Sequence, residues 1–304
     1  RDIGVTGVQT CALPICVGTA GQVLTSAGAG AYPTWGTVTQ AISSDAKTLL
    51  TTKTVTWGGT SMAFVGSLGL SATTQLLVAT GSGGVYGAVY DSSSDTVGSP
   101  TLLAAYGSSY QFYKISSTSV LLVYNSSSIL YGLVVSISGT TITVNTAYSS
   151  SVASSFMVGD IAAIGSSYVV LTAGTGAPVP VNIVACTVSG TVVTWGSAVT
   201  TTTNIGSNSS YLGGVFVYSA TQGFCTYCGT GTNVTYYTGF TVSGTAITLG
   251  TEQSGINLTT NSTTWCTTPF QIGNGKYIHI LTPPTTSIFG ILLSMTGANI
   301  SVST

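Results

Sequence analysis

The chain repeats itself with a period of about fifty residues, and this limits its fold more than any other feature. The block Tyr131-Gly132-Leu133-Val134-Val135-Ser136-Ile137-Ser138-Gly139 returns as Val184-Ala185-Cys186-Thr187-Val188-Ser189-Gly190. It returns again as Phe240-Thr241-Val242-Ser243-Gly244 and as Phe289-Gly290-Ile291-Leu292-Leu293-Ser294-Met295-Thr296-Gly297. The marker glycines 139, 190, 244 and 297 are 51, 54 and 53 residues apart. Forty-five residues before Leu121-Leu122-Val123 stands Leu76-Leu77-Val78, an earlier copy of the same unit. Repeats of this length are single supersecondary units that cannot bury their apolar surface alone and must stack on their neighbours.

Each unit reads as strands. Apolar and hydroxyl residues alternate in Thr141-Ile142-Thr143-Val144 and Thr245-Ala246-Ile247-Thr248. β-Branched residues dominate, and Ser-Gly-Thr separates consecutive runs as a hairpin turn. A unit holds about four such runs, which is the content of a β-propeller blade. Residues 41–304 number 264, about five periods of 51. The expectation is an all-β, propeller-like array of about five four-stranded units, as a closed ring or part of a larger one. The alternative is another β-repeat array, an open solenoid or sandwich. Positions 133, 135 and 137, with their counterparts 184, 186, 188 and 291, 293, 295, are apolar and are expected to form the contact between units.

Composition narrows the function. Only 11 of 304 residues are charged, 5 basic and 6 acidic, and the net charge is −1. Nucleic-acid binding demands clustered Lys and Arg, so no nucleic-acid partner is expected. Apolar runs of about four to six residues are far short of a membrane helix, so no membrane insertion is expected. Acid–base catalysis has few groups to draw on.

Two N-terminal segments are read by resemblance. Val5 to Ile15 resembles the in-frame translation of a common sequencing adapter at eleven consecutive residues. On that reading residues 1–15 are an artefact of assembled metagenomic DNA, and the native N-terminus is missing. Residues 16–40 form a Gly/Ala-rich junction before the repeat domain of 41–304. Within it Gly21-Gln22-Val23-Leu24-Thr25-Ser26 and Pro33-Thr34-Trp35 are similar to a segment of bacteriophage tail-fibre and related virion proteins. Ala27 and Tyr32 depart from that pattern. The resemblance implies a virion-associated chain.

The candidate chemistry is sparse. Cys225-Thr-Tyr-Cys228 lacks the second pair or the histidines that a zinc site requires. It reads as a Cys225–Cys228 staple, as one partner of Cys266, or as two free thiols. Cys186 lies on the apolar face as a small core residue, and His279, the sole histidine, sits in a strand with a structural role. Asp91 and Asp95 bracket a polar turn, and no carboxylate pair suits a glycosidase. No metal and no cofactor are expected.

Aromatics carry the one positive signal. Aligning the run that ends at Tyr218 with the run that ends at Tyr124 places an 11-residue insertion within 219–235 of unit four. Insertions in repeat proteins map to loops on one face, often the binding face. Phe224 and Tyr227 are therefore expected to flank a ligand-binding surface. The expected protein is a non-enzymatic virion or extracellular structural or receptor-binding protein of the tail-fibre class. It would bind host-surface glycan or other virion proteins, as a possible homo-oligomer. A secreted bacterial adhesin or lectin, and a polysaccharide depolymerase on the same scaffold, are the alternatives. Deleting residues 1–15 is expected to leave the thermal unfolding midpoint of the repeat domain unchanged, because no repeat position lies there.

Overall fold

The computed structural model describes residues 22–25, 34–37, 54–59, 61–105, 109–153, 157–173, 179–205, 212–229, 234–257, 269–273, 276–281 and 289–303. Residues 1–15 lie outside that set. The chain divides into two compact units, Arg1–Thr54 and Val55–Thr304. In the first, β1 (Gln22–Thr25) pairs antiparallel with β2 (Thr34–Thr37).

The second unit is all-β, with no helix among the described residues. Five antiparallel sheets follow one another. Sheet 1 holds β3 (Ala63–Gly69), β4 (Thr74–Gly81), β5 (Gly84–Asp91), β6 (Thr96–Val97) and β7 (Thr101–Ala104). Sheet 2 holds β8 (Ser109–Ser116), β9 (Ser119–Ser126), β10 (Ile129–Ser138), β11 (Thr141–Val144) and β12 (Tyr148–Ala153). Sheet 3 holds β13 (Met157–Ile164), β14 (Ser167–Ala173), β15 (Val179–Ser189), β16 (Val192–Trp195) and β17 (Val199–Ile205). Sheet 4 holds β18 (Leu212–Val217), β19 (Gln222–Cys228), β20 (Val234–Ser243), β21 (Ala246–Leu249) and β22 (Gln253–Asn257). Sheet 5 holds β23 (Phe270–Gly273), β24 (Lys276–Leu281), β25 (Phe289–Thr296) and β26 (Asn299–Ser303).

The extra strand of sheets 1 to 4 is a broken fourth strand. In sheet 2, β11 and β12 both pair antiparallel with β10, one along each half. The plan is therefore a four-stranded meander with an interrupted outer strand, a propeller-like blade. Consecutive sheets pack face to face, and the succession is not closed into a ring among the described residues.

Both faces of each inner sheet are buried. Alternation along a strand sends neighbouring side chains to opposite faces. Leu133, Val135 and Ile137 pack toward sheet 1, and Val184 and Cys186 pack toward sheet 2. Ile291, Leu293 and Met295 pack toward sheet 4. This is the contact expected from the repeat. The opposite face is buried too, through cross-strand rows that meet the following sheet. These rows are Leu68–Leu76–Val89, Tyr113–Leu121–Val134, Ala162–Val169–Ala185 and Phe216–Phe224–Gly239. Each joins an apolar cluster with the sheet after it.

The marker glycines turn the hairpins between third and fourth strands. Gly139, Gly190, Gly244 and Gly297 have φ of 57°, 60°, 57° and 61°. The following residue is not left-handed, so each pair is a II′-type turn with glycine at the first central position. These turns also set the spacing between sheets. A Cβ on Gly98, Gly196 or Gly250, where the outer strand breaks, would overlap the carbonyl oxygen of Thr140, Thr245 or Ala298. Each of those is the residue after a marker glycine in the next sheet. In sheet 2 the equivalent position is Asn145, whose amide donates to Val134 O at 2.7 Å and meets Ser136 Oγ at 2.9 Å.

Alanine at Gly250 is expected to cost about 1–3 kcal/mol by overpacking this contact. At Gly139 it is expected to cost about 1–2 kcal/mol through the left-handed backbone alone. At Gly290, where a Cβ meets nothing within 4 Å, the change should stay within about 0.5 kcal/mol. Urea denaturation of the three variants checks the order.

Candidate functional site

The first strands of sheets 2, 3 and 4 lie side by side, β8 against β13 and β13 against β18. With β3 on the far side, β8 and β13 line a groove of about 510 Å³. Its central wall is β8, which reads Ser109-Tyr110-Gln111-Phe112-Tyr113. Period-two alternation turns Tyr110 and Phe112 toward sheet 1, where both pack on its apolar cluster. Their rings meet edge-on, with centroids 5.7 Å apart at 69°. Ser109 and Gln111 turn the other way and tie β8 to β13. Gln111 Nε2 donates to Gly159 O at 2.8 Å, and Ser109 Oγ accepts from Val158 N at 2.9 Å. Opposite, Val65 is half exposed in a β-bulge between Phe64 and Gly66. Burial raises the Tyr110 phenol above its usual range, opposed by a hydrogen bond with Thr80.

The lining combines aromatic rings, an amide and hydroxyls, with no charged side chain among the described residues. Such a surface can stack on an apolar sugar face and hydrogen-bond its hydroxyls. Just behind the wall, Asp160 accepts from Ile161 N at 2.8 Å and, across to sheet 4, from Val215 N at 2.9 Å. Desolvation raises its carboxyl pKa above the ordinary 3.8 and outweighs the two hydrogen bonds.

A larger groove of about 1000 Å³ runs along the outer strands of sheets 2 to 4, beside Tyr148, Val192 and Trp195. Here the Trp195 ring fills the space left by Gly132, and its Nε1 donates to Tyr148 O at 2.9 Å. The indole therefore serves the joint between sheets.

The expected recognition loop in unit four is corrected. Residues 222–228 are β19, the second strand of sheet 4, and Phe224 and Tyr227 are fully buried. Phe224 stacks on Phe216 at 4.9 Å and meets Tyr277 edge-on at 4.9 Å. Tyr227 stacks on Tyr236 at 6.0 Å, as Tyr124 stacks on Tyr131 at 5.4 Å. Tyr227 is thus the counterpart of Tyr124, and the separations 236 − 227 = 9 and 131 − 124 = 7 leave two extra residues rather than eleven. Neither ring can reach a ligand without opening the core.

The Cys225–Cys228 staple is also corrected. Cys225 is a free, buried thiol, whereas Cys228 is disulfide-bonded. Three positions apart on one strand, the two side chains point to opposite faces. Burial pushes the Cys186 thiol up to about 12 and the Cys225 thiol higher still.

The remaining candidates join sheets. His279, fully buried, pairs its Nδ1 with the Tyr237 hydroxyl at 2.7 Å between sheets 4 and 5. Glu252, where the outer strand of sheet 4 breaks, accepts from Thr203 N at 3.2 Å and from the Thr203 and Tyr227 hydroxyls. Asp91 Oδ1 accepts from Ser93 N at 2.9 Å inside its turn. Among the described residues no three His, Cys, Asp or Glu side chains are grouped to hold a metal. The alternating aromatics of β8 were the one sequence signal for the groove.

No protein-family profile and no curated protein sequence matches the chain. Solved structures that are distantly similar include the following two. AofleA from Arthrobotrys oligospora shares 10% identity over 80% of this chain and 86% of its own, with a TM-score of 0.28. A 6-phosphogluconolactonase candidate from Bacteroides uniformis shares 9% identity over 73% of this chain and 77% of its own, with a TM-score of 0.27. The architecture rests on the strand registers of this chain.

Asp160 gives a signed pH dependence. Its pKa is raised in the folded state, so its stabilising contribution is complete below the ordinary carboxyl value of 3.8 and is lost as pH rises through the folded pKa. The melting temperature of the wild type relative to Asp160→Asn is therefore expected to be highest at low pH and to fall toward neutrality. Thermal scans of both proteins across that range check it.

Proposed function

We propose that the chain is a non-enzymatic binding protein that takes a neutral carbohydrate in the groove between β3, β8 and β13. The observation that carries this reading is the wall of Tyr110 and Phe112 on β8, with the half-exposed Val65 on the opposite side of a groove of about 510 Å³. Rings already held by packing lose little entropy when a ligand stacks on them. The uncharged lining suits a neutral polyhydroxylated ligand better than an ionic one.

The fibre-like residues 18–36 support placing the protein on a virion, with a bacterial surface polysaccharide as the ligand. In that setting the repeat domain would hold the host surface, and the junction segment would belong to the particle side.

Binding to immobilised bacterial surface polysaccharides tests the proposal. Tyr110→Ala and Val65→Asp are each expected to weaken binding about tenfold, the effect of losing one anchoring contact. Val192→Asp, in the outer groove, is expected to leave it unchanged. Retained binding in both groove variants, with the fold intact, would place the ligand elsewhere. Release of reducing sugar from the polysaccharide would replace the reading with an enzymatic one.

A further inference from the structure

The fifth sheet repeats the row that faces forward in the other four. Strand register matches Phe270–Ile278–Leu292 with Phe216–Phe224–Gly239 of sheet 4, and through it with Ala162–Val169–Ala185, Tyr113–Leu121–Val134 and Leu68–Leu76–Val89. The four earlier rows are covered by the next sheet. In sheet 5, Phe270 is 47% exposed and Leu292 36%, and Ile280 on the same face is 41% exposed.

The first sheet shows the reverse. Its backward face carries the row Phe64–Ala79–Tyr86–Leu102. The matching row of sheet 2, Tyr110–Tyr124–Tyr131, is packed against sheet 1. Gly58 and Gly59 lie beside Tyr86, but Phe64 is 64% exposed and Leu102 43%. Among the described residues, sheet 5 thus carries an uncovered forward face and sheet 1 an incompletely covered backward face. Every joint inside the array pairs a forward face with a backward one.

We propose that the fifth sheet of one copy docks on the first sheet of a second copy, continuing the stack from chain to chain. The interface is a further joint of the kind already present between consecutive sheets. It is heterologous, because two forward faces meet nowhere in the structure, so it builds a ring or an open series according to the angle at the joint. Exposed apolar surface of this kind on a sheet marks an interaction site.

Sedimentation velocity over a concentration series tests this with the full chain and two variants, Leu292→Asp and Phe64→Asp. Both positions are exposed, so both variants should keep the wild-type unfolding midpoint. If either does not, Leu292→Ser or Phe64→Ser replaces it. The wild type is expected to form species larger than a monomer as concentration rises, and each variant alone is expected to remain monomeric. Mixing the variants should restore a 1:1 dimer and nothing larger, since one supplies an intact first sheet and the other an intact fifth. A wild type that stays monomeric throughout would overturn the proposal, as it would if the faces met within one copy. Assembly of Phe64→Asp like the wild type would also overturn it, because the partner of the fifth sheet would then be another fifth sheet.

Discussion

Burial of both faces of every inner sheet is the condition on which this structure depends. A single four-stranded meander of small apolar and hydroxyl residues has two apolar faces and cannot satisfy either in water. Stacking solves both at once. It also explains how 11 charged residues suffice in a chain of 304: most positions on the inner strands face another sheet, and apart from the outer faces of sheets 1 and 5 it is turns and edges that meet solvent. The groove between β3, β8 and β13 arises from the same stacking, because it lies along β8 and β13 with β3 on the far side.

Polar groups inside the stack are used as joints. Asp160, Glu252 and the Tyr237–His279 pair each connect neighbouring sheets. A buried polar group that keeps its partners adds orientation, because its hydrogen bonds are directional where apolar contact is not. Where ion pairs are scarce, tyrosine and threonine hydroxyls take this work. Tyr227, with Thr238 on one side and Glu252 on the other, is the fullest example.

Much of this architecture was legible in the sequence, and the reasons are specific. The turn at a marker glycine needs a left-handed residue, so glycine recurs there and fixes the period. The face of Leu133, Val135 and Ile137 could be read because its counterparts stay apolar. Sheet 4 was misread for an equally definite reason. Val215-Phe216-Val217-Tyr218 mimics Leu121-Leu122-Val123-Tyr124 in composition, whereas the true counterpart, Phe224-Cys225-Thr226-Tyr227, has lost its aliphatic character. Aligning the first pair turned a core strand into an imagined loop and moved two buried aromatics to the surface. The groove itself was hidden because its walls come from strands about 45 residues apart, and a single-sequence pattern reports period but not which strands converge.

The glycine at the break of each outer strand bears on a property beyond stability. In this stack, the backbones of neighbouring sheets meet where a hairpin carbonyl is seated against Gly98, Gly196 or Gly250. The joint after sheet 2 has Asn145 instead, its amide folded back onto Val134 and Ser136. The closeness of approach is therefore set joint by joint by one residue per repeat. The apolar rows hold the sheets together, and this single position sets how near the hairpin of the next sheet can come.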